Sequence, residues 1–280
     1  MVRKLNQLQR LLPEGFLADA AWLERQGYSR ALRSQYVKSG WLDLVMRSVY
    51  RRPDPSATPG STGWRQVVLS LQTILACPVW VGGRSALELQ GLSHYLSPNG
   101  PQEIHLYGAA RPPAWVFRIE AGARFDFHTE HRLFDDDRPS WNLGTLTTKP
   151  KEGEKTLPEG LMRISSGHRE WPLIVSTPER AILELLDRVP RAETFHQADM
   201  LMEGLRSLSP RRLSKLLRGC RSVKVKRLFL WFAERHDQPW LKALPTEDID
   251  LGSGKRMLAR GGRLDGKYNI TVPEHMDGGH

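Results

Sequence analysis

The sequence predicts a two-domain α+β protein, in which a small domain of three helices and a β-hairpin precedes a larger mixed α+β domain. Three observations predict this arrangement. Helical patterns and a hairpin pattern fill the first 52 residues, a Pro- and Gly-rich segment occupies residues 53–63, and strand-like and helical segments alternate after it. The 280 residues allow each part its own core. We therefore predict domains at residues 1–58 and 64–280, joined by a linker at about residues 53–63.

The first two helices are predicted from leucine spacing and from their end signals. Leucines recur at helical intervals over residues 5–12, and a Pro and a Gly follow. A second helix is predicted within residues 17–27, where Asp19 is a cap or a first-turn acid and Gly27 is a natural stop.

The third helix and the hairpin complete the N-terminal domain. Ser29 caps a helix that is predicted to run to about Ser39. The stretch WLDLVMRSVYRR that follows is rich in β-branched and aromatic residues on both sides of a Met46–Arg47–Ser48 tip. It predicts a two-stranded hairpin.

The larger domain begins with a helical pattern and ends with a glycine-rich β-hairpin. One helix is predicted near the start of this domain. A second is predicted after the cap Thr177, with Pro178 as its first residue, and the pattern is helical again over residues 194–242. The predicted strands are PVWV, EIHLYG, AWVFRI, FDFHTEHRLF, LMRIS and LIVS.

Positive charge is concentrated in two segments. The chain carries a net charge of +10, and residues 1–52 contain ten Lys or Arg against four acids. Residues 210–227 contain eight Lys or Arg and no acid. Such clustering is typical of a surface that binds nucleic acid.

The third helix and the hairpin together match a winged helix-turn-helix, in which the second helix of the pair enters the major groove and the wing contacts the flanking backbone. Arg can bind guanine or phosphate, and Ser can bind phosphates or base edges. The alternative is a solvated helix face on a domain that contacts proteins. The predicted DNA-binding residues are Ser29, Arg30, Arg33, Ser34, Lys38, Arg47, Arg51 and Arg52.

The second basic segment predicts an auxiliary surface for a polyanion, because like charges without a counter-acid repel one another. A plain solvated helix face is an equal alternative. The residues concerned are Arg211, Arg212, Lys215, Arg218 and Lys224.

No catalytic residue, metal ligand or cofactor is predicted. His128 and His131 are three residues apart, which is not the spacing of a helical zinc pair, and Cys77 and Cys220 have no CxxC partner. The absence of a long apolar run or signal peptide predicts a cytoplasmic protein without a membrane span.

An enzyme directed to nucleic acid is the alternative class of function. The pair Asp248 and Asp250 would serve a nucleotidyltransferase and the Glu154–Lys155 pair a nuclease, while Asp126 is a candidate acid for either. Neither set has the accompanying motif that its chemistry requires.

Several segments resemble the AbiEi family of antitoxins of bacterial type IV toxin–antitoxin systems, which act in abortive infection and phage defence. These are GYSRALRSQYVKSGWLDLVMRSVYRRP, GGRSALELQGLSHYL, EIHLYG, STPERAILELL and LGSGKRMLARGGRLDGKYNITVP, and the resemblance extends from about Leu5 to Pro273. It implies an N-terminal domain that represses its own promoter at inverted repeats of double-stranded DNA. It also implies a C-terminal domain that counteracts a nucleotidyltransferase toxin without a stable complex.

Overall fold

A computed structural model describes residues 2–56, 62–92, 102–134, 157–166 and 171–275. The helices are α1 (Val2–Leu11), α2 (Ala20–Arg25), α3 (Arg30–Lys38), α4 (Trp64–Leu69), α5 (Gly83–Leu89), α6 (Pro178–Arg188), α7 (Phe195–Gly204), α8 (Pro210–Gly219) and α9 (Val223–Arg235). The strands are β1 (Leu17–Asp19), β2 (Asp43–Met46), β3 (Val49–Arg51), β4 (Val79–Val81), β5 (Glu103–Gly108), β6 (Arg124–Thr129), β7 (Leu161–Ser166), β8 (Trp171–Ser176), β9 (Arg263–Asp265) and β10 (Ile270–Val272).

The N-terminal part has the predicted three helices and hairpin, with one additional strand. β1, β3 and β2 form an antiparallel sheet in that order. The helix predicted within residues 17–27 begins at Ala20, because Leu17 and Ala18 are buried and pair with β3 instead. Asp19 then caps α2 as predicted, since its Oδ1 accepts a hydrogen bond from Trp22 N at 2.7 Å.

The hairpin between β2 and β3 turns at Arg47 and Ser48. Met46 pairs with Val49, so the tip contains two residues. Ser48 has φ 67°, a left-handed conformation that glycine adopts more readily than serine. The predicted wing is therefore confirmed, with a serine at the position where a tight turn favours glycine.

In the larger part, a mixed five-stranded sheet has the order β6-β5-β4-β8-β7 within the described residues. β4 is parallel to β8 and antiparallel to β5, while β5 and β6 are parallel. α6 packs on this sheet and contacts α5, α8 and α9. The C-terminal hairpin of β9 and β10 is confirmed.

Two predicted strands of the larger part were wrong in whole or in part. Ala114–Phe117 forms a 3-10 helix, because Pro112 and Pro113 before it cannot donate to a β-ladder. The strand predicted over residues 125–134 ends at Thr129, and a 3-10 turn follows at Glu130–Arg132.

The two parts of the molecule share a hydrophobic core. Leu17 N donates to Ser70 Oγ at 2.8 Å, which joins β1 to the end of α4. The rings of Phe16 and Trp171 meet edge to face at a centroid distance of 4.9 Å. Residues 57–61 of the predicted linker lie outside the described residues, so the division at residues 58–64 stays a prediction.

Arg180 is the centre of a buried ionic network beneath the larger sheet. Its Nη2 donates to Glu130 Oε1 at 2.6 Å and its Nε donates to Glu184 Oε1 at 2.8 Å. The guanidinium carbon lies 4.6 Å from the Trp80 ring centroid and 4.7 Å from that of Phe134. The positive charge thus has two carboxylate partners and two aromatic faces, and little contact with water.

Glu184 extends this network to three other elements. Its Oε2 accepts from Ser176 Oγ at 2.8 Å and from Gly83 N at 2.9 Å, and its Oε1 accepts from Trp80 Nε1 at 3.3 Å. A Cβ atom at Gly82 would collide with Glu184 Oε2 and with the Tyr107 ring. Gly82, which precedes α5, is therefore required for α6 to approach the sheet.

We predict that Arg180→Met lowers the free energy of unfolding by about 3–5 kcal/mol, because it leaves Glu130 and Glu184 buried without a cation. Chemical denaturation monitored by tryptophan fluorescence measures this. Arg211→Met is the matched control, since Arg211 is exposed on α8, and it should change stability by less than about 0.5 kcal/mol. Equal effects of the two substitutions would contradict this role of Arg180.

Candidate functional site

The candidate DNA-binding helix α3 has a buried side and an exposed side. Ser29 caps the helix as predicted, because its Oγ accepts from Leu32 N at 3.3 Å. Tyr36 is buried, whereas Arg30, Ser34 and Lys38 are exposed. These three exposed residues are spaced by four, so they form one stripe along the helix.

Arg33 does not belong to this stripe, and its prediction as a DNA contact needs correction. Its side chain is only 6% exposed. Nη1 donates to the carbonyl oxygen of Tyr28 at 2.7 Å and to that of Ala20 at 3.4 Å, and Nη2 lies 3.4 Å from Glu24 Oε1. Arg33 therefore fixes the angle between α2 and α3 and cannot reach a duplex without breaking these bonds.

Arg51 and Arg52 are also ion-paired within the domain. Arg51 donates to Asp43 Oδ2 at 2.8 Å across the hairpin, and its side chain is 11% exposed. Arg52 donates to Glu14 Oε1 at 3.0 Å and to the carbonyl oxygen of Gln9 at 2.9 Å. Both were predicted to neutralise DNA backbone charge, but their charge is already neutralised by these carboxylates.

The remaining predicted contacts are all exposed. We name Ser29, Arg30, Ser34, Lys38 and Arg47 the α3–wing surface, and all five are exposed. Among the residues that the structure describes, no carboxylate lies within ion-pair distance of Arg30, Lys38 or Arg47. The helix and the wing tip thus present cations to solvent rather than to the protein.

The basic segment on α8 and α9 has acidic partners that lie elsewhere in the sequence. Lys215 Nζ lies 2.9 Å from Glu159, Arg218 pairs with Asp248, and Lys224 Nζ lies 3.5 Å from Asp187. The premise of an uncompensated cluster was therefore wrong for these residues. A polyanion surface around the exposed Arg211 stays a prediction, with less charge than the sequence indicated.

Arg212 of this segment pairs with the buried acid Glu179, at 3.0 Å from its Oε2. Burial alone would raise the pKa of Glu179. The hydrogen bonds from backbone amides, including Ser209 N, and from Arg212 outweigh it and lower the pKa below its ordinary value. Glu179 is therefore held ionised, and Arg212 acts as its partner rather than as a free surface cation.

Three side chains on β5 and β6 converge beside a cavity in the larger part. The parallel register places His105 opposite Asp126 and Tyr107 opposite His128. Ligand atoms of His105, Asp126 and His128 lie within 4.8 Å of one another. The cavity has a volume of about 340 Å³, and His128, Glu130, Arg180 and Arg188 are part of its lining.

Sequence reasoning missed this cluster, although a signal was present. Asp126 and His128 are two residues apart on a strand and so share a face. His105 comes from the neighbouring strand, and only the sheet order places it beside them. The discarded pair of His128 and His131 combined a member of the cluster with a residue outside β6.

Both imidazoles of the cluster are neutral at physiological pH. Burial, followed by the charge of Arg188, lowers the pKa of His105 to about 3 and that of His128 to about 4. Arg188 Nη1 donates to Asp126 Oδ2 at 2.9 Å and to His128 Nε2 at 2.6 Å. The cluster thus contains a fixed cation and two neutral rings.

The acids of the alternative enzyme prediction have structural partners. Asp248 pairs with Arg218, and Asp250 Oδ1 accepts from Gly252 N at 2.7 Å in the turn that follows. Arg227 donates to the carbonyl oxygens of Leu251 and Gly252, which fixes the glycine-rich loop as a turn. Glu154 and Lys155 lie outside the described residues.

Comparison with known families identifies the chain. A profile described as transcriptional regulator, AbiEi antitoxin, type IV toxin–antitoxin system matches residues 101–273, and the profile of the AbiEi antitoxin N-terminal domain matches residues 1–98. The chain belongs to the AbiEi antitoxin family. It is a transcriptional regulator and not an enzyme, and the winged helix-turn-helix is consistent with the AbiEi N-terminal domain.

The fold of this AbiEi protein also resembles a solved structure. The crystal structure of the RV2827C protein from Mycobacterium tuberculosis aligns with a TM-score of 0.53 and 15% identity, over 96% of this chain and 89% of the other. A search of curated proteins found no significant match. No helix of the described residues is long and apolar enough to cross a membrane.

We predict that Arg33→Met destabilises the AbiEi protein by about 1–3 kcal/mol, because the buried carbonyl oxygen of Tyr28 and the partly buried one of Ala20 lose a charged donor. Lys38→Met, on the exposed stripe of the same helix, should change stability by less than about 0.5 kcal/mol. Thermal unfolding followed by circular dichroism compares the two. A neutral Arg33→Met variant would contradict the structural role of Arg33.

We also predict that the ionised form of Glu179 stabilises the folded protein, so that this stabilisation is lost in acid. Its lowered pKa means that the folded protein binds this proton less readily than the unfolded chain. The contribution is present above the ordinary pKa of 4.5 and is lost as the pH falls below it, through the folded value. In the Glu179→Gln variant, the melting temperature should therefore fall less steeply as the pH drops below 4.5. Glu247→Gln, at an exposed site, should show the same dependence of melting temperature on pH as the wild type.

Proposed function

We propose that this AbiEi antitoxin represses its own operon by inserting α3 into the major groove at inverted repeats in the promoter. The exposed cations of the α3–wing surface, which have no carboxylate partner among the described residues, are the observation that carries this proposal. Arg30, Ser34 and Lys38 lie along the helix that would enter the groove, and Arg47 is at the tip of the hairpin that would contact the flanking backbone.

In the proposed complex, some side chains position the protein on the duplex and others read the base sequence. Lys38 and Arg47 supply point charges for phosphates, which fix the protein on the duplex without reading its sequence. Arg30 lies in the first turn of α3, where a recognition helix contacts base edges, and its guanidinium can bind guanine O6 and N7 together. The exposed Ser34 hydroxyl can contact either a base or a phosphate.

Arg33 supports this surface from inside the domain. It fixes α3 against α2 through the carbonyl oxygens of Tyr28 and Ala20, so the exposed stripe keeps one direction. A rigid stripe loses less conformational entropy on binding than mobile side chains on a mobile helix. Arg33 thus contributes to DNA binding as a positioning residue.

We further propose that the larger domain counteracts a nucleotidyltransferase toxin without a stable complex. The family description as a type IV antitoxin supports this assignment. Co-expression with a neighbouring nucleotidyltransferase gene should restore growth, while the two purified proteins should elute separately in gel filtration. Failure of growth rescue would contradict the antitoxin proposal, and co-elution would contradict the absence of a complex.

We predict that Lys38→Ala and Arg47→Ala each lower the slope of log affinity against log salt concentration by about one, because each removes one phosphate contact. Fluorescence anisotropy with a labelled promoter duplex, over a series of salt concentrations, measures the slope. Arg30→Ala should in addition lose about 1–3 kcal/mol of discrimination between the operator and a duplex with a changed guanine.

Arg206→Ala is the matched control, because Arg206 is exposed in the larger domain, far in sequence from the α3–wing surface. Its salt slope should equal that of the wild type. Wild-type affinity and slope in a combined Arg30→Ala, Lys38→Ala variant would refute DNA binding through this surface.

A further inference from the structure

The cluster of His105, Asp126 and His128 has the dimensions of a zinc site. His128 Nε2 lies 3.2 Å from Asp126 Oδ2 and 3.4 Å from His105 Nδ1, and the third distance, from His105 Nδ1 to Asp126 Oδ2, is 3.9 Å. Ligand atoms of a tetrahedral zinc ion with bonds of about 2.0 Å are about 3.3 Å apart. Two of the three separations thus match the edge of a zinc tetrahedron, and the third is longer by about 0.6 Å.

Two carboxylates lie near the side of the His105 ring that faces away from the cluster. On the far side of its ring, Nε2 lies 3.6 Å from Glu103 Oε2 and 4.0 Å from Glu193 Oε1. Metal-bound imidazoles commonly donate their second N–H to a carboxylate, which fixes the ring and increases its basicity. A neutral His105 carries one proton, so carboxylates at Nε2 favour a proton there and leave the Nδ1 lone pair facing the cluster.

Without a metal ion, Arg188 supplies the positive charge in this cluster, through the contacts of its Nη1 with Asp126 and His128. Its Nε, however, is buried, has no hydrogen-bond partner among the residues that the structure describes, and lies 3.9 Å from Glu193 Oε1. A small movement of the side chain toward Glu193 would give Nε an acceptor. The same movement would free the lone pairs of Asp126 and His128.

We propose that His105 Nδ1, His128 Nε2 and Asp126 Oδ2 bind a zinc ion, which displaces the Arg188 guanidinium toward Glu193. Two imidazole nitrogens and one carboxylate oxygen form a donor set that zinc accepts. Asp126 and His128 are partly exposed, so the ion has an entry path, and the cavity beside His128 leaves the fourth position to water or a small ligand. The zinc site does not depend on the α3–wing surface.

The test is a zinc titration of the full-length protein, after treatment with a chelator and desalting, in competition with a chromogenic chelator. The wild type should bind one zinc ion per chain. His128→Ala and Asp126→Asn should each weaken binding at least about 100-fold, whereas Arg188→Ala should strengthen it, because no guanidinium competes for the ligands. His196→Ala, at an exposed histidine of α7, should retain wild-type affinity.

Cobalt(II) provides a second readout that loss of folding cannot imitate. The wild-type complex should show the intense visible absorption of a tetrahedral site, and Asp126→Asn should lose it while circular dichroism stays unchanged. Absence of stoichiometric zinc binding by the wild type would overturn the proposal, even if Arg188→Ala binds zinc. Equal binding by the wild type and by both ligand variants would overturn it as well.

Discussion

The placement of one buried guanidinium determines how the larger domain is assembled. Arg180 is enclosed by Trp80 and Phe134 and is neutralised by Glu130 and Glu184. Burial of a charge is costly unless all of its partners are in place, so the contacts form together or not at all. Because Glu184 also binds Gly83 N and Ser176 Oγ, the same charge fixes the start of α5, strand β8 and one wall of the cavity.

The arginines of the N-terminal domain divide into two groups that composition cannot distinguish. Arg33, Arg51 and Arg52 are bonded to carbonyl oxygens or carboxylates of the domain itself. The α3–wing surface keeps its cations in solvent. The first group orients the helices and the hairpin, and the second is available to a polyanion. A count of basic residues therefore overstates the binding charge of a segment. In residues 1–52 the neutralising acids belong to the segment itself, whereas Lys215 on α8 pairs with Glu159 from outside its segment.

Most secondary-structure elements could be predicted from the sequence, but fewer of the side-chain contacts at the candidate sites could be. Leucine spacing, the caps at Asp19 and Ser29, and Pro178 at the start of α6 predicted most helices, because these signals are local. It did not reveal strand β1, whose pairing with β3 is a tertiary contact that outweighs helical propensity. Nor did it show that Arg33 points inward, or that His105 lies beside Asp126, since both depend on how distant segments pack.

The bond from Leu17 N to Ser70 Oγ and the contact of Phe16 with Trp171 have an evolutionary consequence. They place the start of β1, in the N-terminal domain, in contact with the interior of the larger domain. Exchanging the whole N-terminal domain with that of a relative would expose apolar surface on both sides of the interface between the two domains. In the DNA complex proposed above, operator preference can therefore change at low cost through the solvent-facing stripe of α3, while the contacts between the two domains are inherited as a unit.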